Sequence, residues 1–376
     1  MRRSLPMVCL VCAMLLILSG CINPSGSDGN RRAFTLKDLE GRVPIVYGEP
    51  HNYTLPENST CSPSYKYELQ WSFGLGNKIF ADYGSYVDVW LVNGDYEDGA
   101  SRMLVYTIGI LIEGTFYKSS VYKIVEVNST EYLGFVRFKA PLTPSCRYTL
   151  KIAFYSQNSS DGKWHNYGLK SGNEHEHSID GIPINSSYKT SMNNKKYYDK
   201  LNNLVNYSQV RAKADELSAE YPGVRSIYAM FAAFDFVHWN ITYTPDIGKD
   251  TWSAPKDTLS SRKGDCEDLA ILFVSIIGAL GGASRIFLTD KHVFSAVYAG
   301  NETNFSEIEK AASLYYGQEL ELEYIKDSFG YWIIADVTQS SYFGCLPQSG
   351  VPIGLGGWGF NSNVTTLDII DVIPRK

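Results

Sequence analysis

Lys263-Gly264-Asp265-Cys266-Glu267-Asp268 runs straight into an apolar segment, Leu269 to Leu280. Leu269, Leu272, Phe273, Ile276, Ile277 and Leu280 recur at helical spacing, so the segment predicts a buried helix around which a core must be built. Asp265 suits the N-cap, because its carboxylate can accept the unpaired N–H groups of the first turn. Cys266 then falls in that turn, where the helix dipole favours the thiolate, the form that attacks a carbonyl carbon. A lone buried cysteine is more often a small core residue, so a nucleophile needs partners.

Two later stretches supply them. His292 lies where a turn enters the strand-like run Val293 to Tyr298, and Asp336 lies at the end of a second run, Tyr331 to Val337. A Cys on a helix, a His entering one strand and an Asp leaving another are the nucleophile, base and orienter that acyl transfer through a thioester requires.

Cys266, His292 and Asp336, in that order, resemble the triad of the transglutaminase-like cysteine-peptidase superfamily. Gly264 to Ala270 is similar to its nucleophile segment, Ala279 to Arg285 to the turn after its helix, and Trp332 to Thr338 to its closing strand. Val237 to Tyr243 resembles its entry helix and the extended segment that follows. The likeness covers Ser226 to Cys345. It implies a papain-like α+β domain in which Cys266 attacks an amide, His292 shuttles the proton and Asp336 orients the imidazole. A protein or peptide is the implied substrate. Water as acceptor gives a protease or amidase, and a lysine amine gives a cross-linking transglutaminase. A non-catalytic surface-binding protein that keeps the fold is the rival class. Ala299 to Gly330 departs from the pattern, standing where the family has a short hairpin. It reads as an inserted excursion beside the site, a place where specificity can be set. The triad requires no cofactor. Asp-Cys-Glu-Asp does resemble a calcium-binding variant of the nucleophile segment, which makes Asp265, Glu267 and Asp268 the implied ligands.

The start of the chain places it in the cell. Arg2 and Arg3 precede an apolar run from Leu5 to Leu18, shorter than a bilayer span, then Ser19-Gly20-Cys21. Leu18 to Cys21 resembles a lipobox, so residues 1–21 read as a lipoprotein signal with Cys21 lipidated. The chain is expected on the outer side of the cell membrane, held by that lipid or an N-terminal anchor, with residues 22–50 as a tether. Asn-X-Ser/Thr sequons at Asn52, Asn58, Asn128, Asn158, Asn185, Asn206, Asn240, Asn301, Asn304 and Asn363 fit an exported, glycosylated chain. A formal net charge of -6 argues against nucleic acid as a partner.

Residues 51–185 read as a β-sandwich, immunoglobulin-like in architecture. Its expected strands are Tyr65 to Trp71, Tyr86 to Val92, Leu104 to Ile112, Val121 to Val127, Tyr132 to Lys139 and Tyr148 to Tyr155, with turn residues between them. Cys61 and Cys146, preceding the first and last of these, are candidates for a disulfide outside the cell. Cys345 is left free, buried or a redox partner of Cys266. His175 and His177 alternate in Glu174-His175-Glu176-His177, but no ligand partners stand at a diagnostic spacing, so the stretch reads as a solvated linker. The sandwich holds no catalytic constellation and serves as a binding module, a spacer or a support.

Residues 186–376 read as the α+β domain. Gln209 to Glu220, Ile227 to Val237 and Pro255 to Arg262 are expected helices before the nucleophile helix. His238 lacks an acidic neighbour in sequence and reads as a packed residue. Gly350 to Phe360 would line the cleft or wrap the sheet.

Overall fold

The computed structural model describes residues 31–50, 53–94, 100–181, 187–248, 250–353 and 357–373. The export signal, Cys21, Asn52 and Asn185 lie outside the described residues.

Seven strands make the sandwich: β1 (Tyr67–Phe73), β2 (Gly84–Asn93), β3 (Met103–Ile112), β4 (Thr115–Val125), β5 (Thr130–Lys139), β6 (Ser145–Gln157) and β7 (Trp164–Ser178). They form a three-stranded sheet, β1-β2-β5, facing a four-stranded one, β4-β3-β6-β7. Alternation supplies the core: Val87, Val89 and Leu91 from β2 meet Ile108, Ile110 and Ile112 from β3 and Leu150, Ile152 and Phe154 from β6.

Two expectations fail here. The stretch with His175 and His177 is no linker but the end of β7, paired with β6 so that His177 faces Cys146 and His175 faces Tyr148. Both imidazoles lie on aromatic rings, His175 on Trp71 and His177 on Phe73. Charged residues at every other position hid a strand whose outer side meets water.

The disulfide fails as well, since Cys61 and Cys146 are both free thiols. Cys61 accepts an amide N–H from Asn158, just past the end of β6, whereas Cys146 is the second residue of that strand. The length of β6 therefore separates them, roughly 35 Å at ~3.3 Å per residue, against the ~7 Å Cα limit of a disulfide.

The second domain is a six-stranded sheet with helices packed on it. Its strands are β8 (Lys189–Met192), β9 (Ser284–Thr289), β10 (Val293–Gly300), β11 (Tyr324–Asp327), β12 (Gly330–Ala335) and β13 (Thr366–Asp371). Their spatial order is β11-β12-β10-β9-β13-β8. The helices are α1 (Lys195–Leu204), α2 (Arg211–Glu220), α3 (Ile227–Asn240), α4 (Pro255–Ser261), α5 (Cys266–Ala279) and α6 (Glu302–Tyr315). α5 is buried on every side after its first residue, its apolar run packing between α3, α2 and the sheet. At ~1.5–3 kcal/mol per buried large aliphatic side chain, this helix is a main source of the domain's stability.

β13 was not anticipated from sequence. It joins the sheet between β9 and β8 and carries Asp371, which with Asp327 clamps the buried Arg285 guanidinium at 2.7 and 2.6 Å. Asp371 also accepts the backbone N–H of Phe34 at 2.8 Å.

That last bond exposes a further correction. Residues 33–47 are not tether but part of the second domain. Phe34 and Leu39 are buried beside Trp332 and Phe294, and Ile45 bridges to Ser226. Phe34 and Leu39 in an otherwise polar stretch were the available signal.

The insertion is helical in its first half, α6, and the stretch after α6 braces the sandwich. The Gln318 side chain takes Arg137 N–H at 2.7 Å and gives its amide to Phe135 O at 2.8 Å, pairing with the edge strand β5 as another strand would. Gly317 is required beside it: φ is +66°, and a Cβ would stand 2.2 Å from Ser120 O. Glu321 pairs with Arg137 and Glu323 accepts from the Tyr83 hydroxyl. Gly350–Ile353 and Gly357–Phe360 form a hairpin that wraps the sheet, with Phe360 buried against Phe294.

Candidate active site

α4 ends at Arg262 in the left-handed region, and two residues of extended chain, Lys263–Gly264, pair with Thr242–Tyr243 before α5 begins. Gly264 has no room for a side chain, since a Cβ there would meet the Asp268 Cβ at 2.7 Å. Asp265 occupies the N-cap position with extended backbone, yet no side-chain hydrogen bond closes the cap and its Oδ1 is buried without a partner. The capping role expected of it is not made; only its position is as read.

Cys266 opens α5 half-buried, beside the backbone N–H of Val293, which favours its thiolate. Val293 follows His292 at the mouth of β10, so the start of α5 meets the start of that strand one residue after His292. Burial nevertheless pushes the thiol well above its ordinary range, and Glu267 adds to this by charge and by accepting the S–H at 3.2 Å. Glu267 itself is pushed up to about 8 by burial and by a hydrogen bond with Asp250.

His292 is buried, and its Nε2 lies 2.8 Å from Asp336 Oδ2, which leaves Nδ1 as the ring nitrogen free of that pairing. Asp336 directly follows β12 and has a fully enclosed carboxylate. The Oδ2 atom also takes the Gln348 N–H at 2.8 Å, while Oδ1 takes the Thr338 N–H at 3.1 Å and hydroxyl at 2.7 Å. Burial alone would raise this carboxyl, but the charge and hydrogen bond of His292 and the donors from Gln348 and Thr338 hold it below the usual carboxylate range. An ionised acceptor of this kind fixes the imidazole tautomer and stabilises the imidazolium. Thr338 and Gln348 escaped sequence reading because a backbone donor and a hydroxyl carry no pattern.

His238 is packed, as read. Its Nδ1 lies 3.0 Å from Val337 O and burial lowers its basicity. Cys345 is a buried free thiol whose hydrogen-bonding neighbours are Tyr342 and Ser340. Tyr243 stands half-exposed near Cys266, and partial burial, with the neighbouring acidic groups, raises its hydroxyl.

Asp265, Glu267 and Asp268, the residues expected to hold calcium, stand close together at the start of α5 and are engaged within the protein. Asp268 is taken by Ser253, through its N–H at 2.6 Å and hydroxyl at 3.1 Å. Glu267 is engaged with the thiol. Among the described residues no three His, Cys, Asp or Glu side chains converge on a point where a metal ion could sit. A calcium site needs six to eight oxygens.

Against known proteins, residues 211–303 match the sequence model of the transglutaminase-like superfamily. The chain carries a transglutaminase-like domain. The matched stretch contains both Cys266 and His292 and ends before Asp336. No curated protein matches the chain. Among solved structures, a candidate cysteine protease from Cytophaga hutchinsonii is 12% identical over 74% of this chain and 78% of its own, with a TM-score of 0.25. A candidate protease from Parabacteroides distasonis is 11% identical over 60% of this chain and 65% of its own, at TM-score 0.23. A CARDB domain from Pyrococcus furiosus, solved with di-metal ions, is 10% identical over 35% of this chain and all of its own, at TM-score 0.21. The transglutaminase-like domain thus rests on the sequence match, and the α+β architecture on the coordinates themselves.

Proposed function

We propose that the transglutaminase-like domain is a thiol-dependent acyl-transfer enzyme that cleaves amide or peptide bonds. Cys266 attacks the carbonyl carbon and forms a thioester. His292 takes the thiol proton and gives it to the leaving amine, then takes a proton from the water that hydrolyses the thioester. Asp336 holds the imidazole throughout. The observation that carries this reading is the His292–Asp336 pair at 2.8 Å, enclosed and standing beside the start of the Cys266 helix. A buried ionised carboxylate aimed at one nitrogen of a buried imidazole is costly to maintain for packing alone. A lysine amine in place of water would turn the same chemistry into cross-linking.

A second reading, a surface-binding protein that keeps the fold, is favoured by the raised thiol and its bond to Glu267. Both readings place the chain outside the cell, lipid-anchored through Cys21. Among the described residues no helix is long and apolar enough to cross a membrane.

The test is peptide-resolved iodoacetamide labelling of the full chain across pH, with Cys266→Ala and His292→Ala beside it. A rate at Cys266 that depends on His292 supports the enzyme. A Cys266 no faster than an ordinary thiol, and indifferent to His292→Ala, refutes it in favour of the binding protein.

A further inference from the structure

A buried carboxylate of the sandwich reaches the loop beside the candidate active site. Asp88 sits in the middle of β2, buried where the two domains meet. Its Oδ2 accepts the Ser341 hydroxyl at 2.9 Å and its Oδ1 the Tyr132 hydroxyl at 2.7 Å.

Both bonds lead to the same loop. Ser341 closes the turn that follows Asp336, in which Ser340 N–H returns to Asp336 O at 3.1 Å. The Tyr132 ring lies 4.2 Å from that of Trp239, which meets His238 edge-on at 4.3 Å. His238 in turn bonds Val337 O at 3.0 Å, one residue beyond Asp336. The loop is gripped on both flanks from a single point in the other domain. Tyr342 reinforces the grip, stacked on Phe135 of β5 at 4.7 Å and edge-on to Tyr86 of β2 at 5.6 Å.

We infer that Asp88 is a positioning residue for the triad, acting through Ser341 and through Tyr132, Trp239 and His238 to hold the 336–341 loop so that Asp336 meets His292. The sandwich is then part of the catalytic unit and not a spacer. The inference rests on the triad proposed above, but it concerns the geometry of the His292–Asp336 pair, which can be read without turnover.

A full carboxylate is kept at this buried position although burial pushes it up to about 6. A hydroxyl or amide could close one bond, but both flanks need an acceptor at the same point. Packing alone would be better served by an apolar residue, since a buried polar group brings no stability unless its partners are in place.

The experiment uses the full chain with Asp88→Ala, Asp88→Asn, Ser341→Ala and Tyr132→Phe. The first readout is the low-field proton resonance of the His292–Asp336 hydrogen bond, assigned by its loss in Asp336→Asn. The second is the His292-dependent part of Cys266 alkylation. The expected result is that Ser341→Ala and Asp88→Ala lose or shift the resonance and cut that alkylation about tenfold. Asp88→Asn, whose amide keeps only one of the two acceptor oxygens, should fall between these variants and wild type, with a loss of about threefold. If Asp88→Ala does not fold, Ser341→Ala and Tyr132→Phe decide the matter. Folded variants with an unmoved resonance overturn the inference, whatever happens to stability. A wild-type chain that shows the resonance but no His292-dependent alkylation would sink the enzyme reading alone, and the variants would still test the positioning.

Discussion

Glu267→Gln should make Cys266 more reactive. The thiol donates to Glu267 Oε2 at 3.2 Å, and an ionised carboxylate at that distance opposes the thiolate. Taking 332/(εr), the repulsion is about 1.3 kcal/mol at the dielectric of water and about 5 kcal/mol at an effective value of 20. At 1.36 kcal/mol per pH unit this is about 1 to 4 units, and the half-buried thiol favours the lower part, about 1 to 2. The sign follows from titration order. Glu267 ionises at about 8, so in the wild type its charge arrives just where the thiol would otherwise begin to ionise. Gln keeps an acceptor for the S–H and removes the charge. The assay is the second-order rate of iodoacetamide at the Cys266 peptide between pH 5 and 10. Above pH 8, where Glu267 is ionised in the wild type, the rate should rise about 10- to 100-fold in Glu267→Gln. A rate that stays put, or falls, would refute the electrostatic reasoning and leave burial as the whole cause of the raised thiol.

Three further outcomes follow from the same coordinates. Asp336→Asn should lower His292-dependent alkylation about 10- to 100-fold with little change in fold, because the amide can present its N–H to the imidazole and select the wrong tautomer; an unchanged rate would remove Asp336 from the triad. Asp235, which accepts the hydroxyls of Tyr315 and Tyr316 at 2.9 and 3.2 Å, is raised by burial to about 7. Its contribution to stability is complete below the ordinary carboxylate range near 3.8 and lost as pH rises through about 7, so Asp235→Asn should gain on wild type by up to about 4 kcal/mol between pH 4 and 8 in urea titrations; parallel curves would refute it. Arg285→Gln should cost about 3–5 kcal/mol in the same assay, since it leaves the fully buried Asp371 charge without its partner; a loss under ~1 kcal/mol would show the triad of charges to be neutralised otherwise.

Sequence made the site legible where chemistry and period coincide. The apolar spacing from Leu269 to Leu280 specified a buried helix, and Cys266 at its start needed only a His and an Asp at the ends of strand-like runs. The structure places His292 and Asp336 together, 44 residues apart in sequence. What supports them was not legible. The donors to Asp336 are a backbone N–H at Gln348 and the N–H and hydroxyl of Thr338. Backbone donors have no residue signature, and a single threonine carries none either. β7 was missed because its solvent-facing Glu174 and Glu176 alternate with histidines that pack on rings, a pattern that reads as polar throughout.

The insertion shows the limit more sharply. Its position between the His and Asp strands suggested a loop that controls access, because sequence places it next to the site. In space α6 leads away to the sandwich, where Gln318 completes the edge of β5 and Gly317 lets two backbones approach. Pairing between an amide side chain and a strand edge in another domain leaves no local pattern, so proximity in sequence is no guide to it. The sandwich also presents β2, with Asp88, to the loop after Asp336. The insertion that reads as a place where specificity can be set is thus also a brace between the two domains. Gln318→Ala, which removes the two bonds to β5 and leaves α6 in the core, should loosen the sandwich in limited proteolysis without altering the surroundings of Cys266.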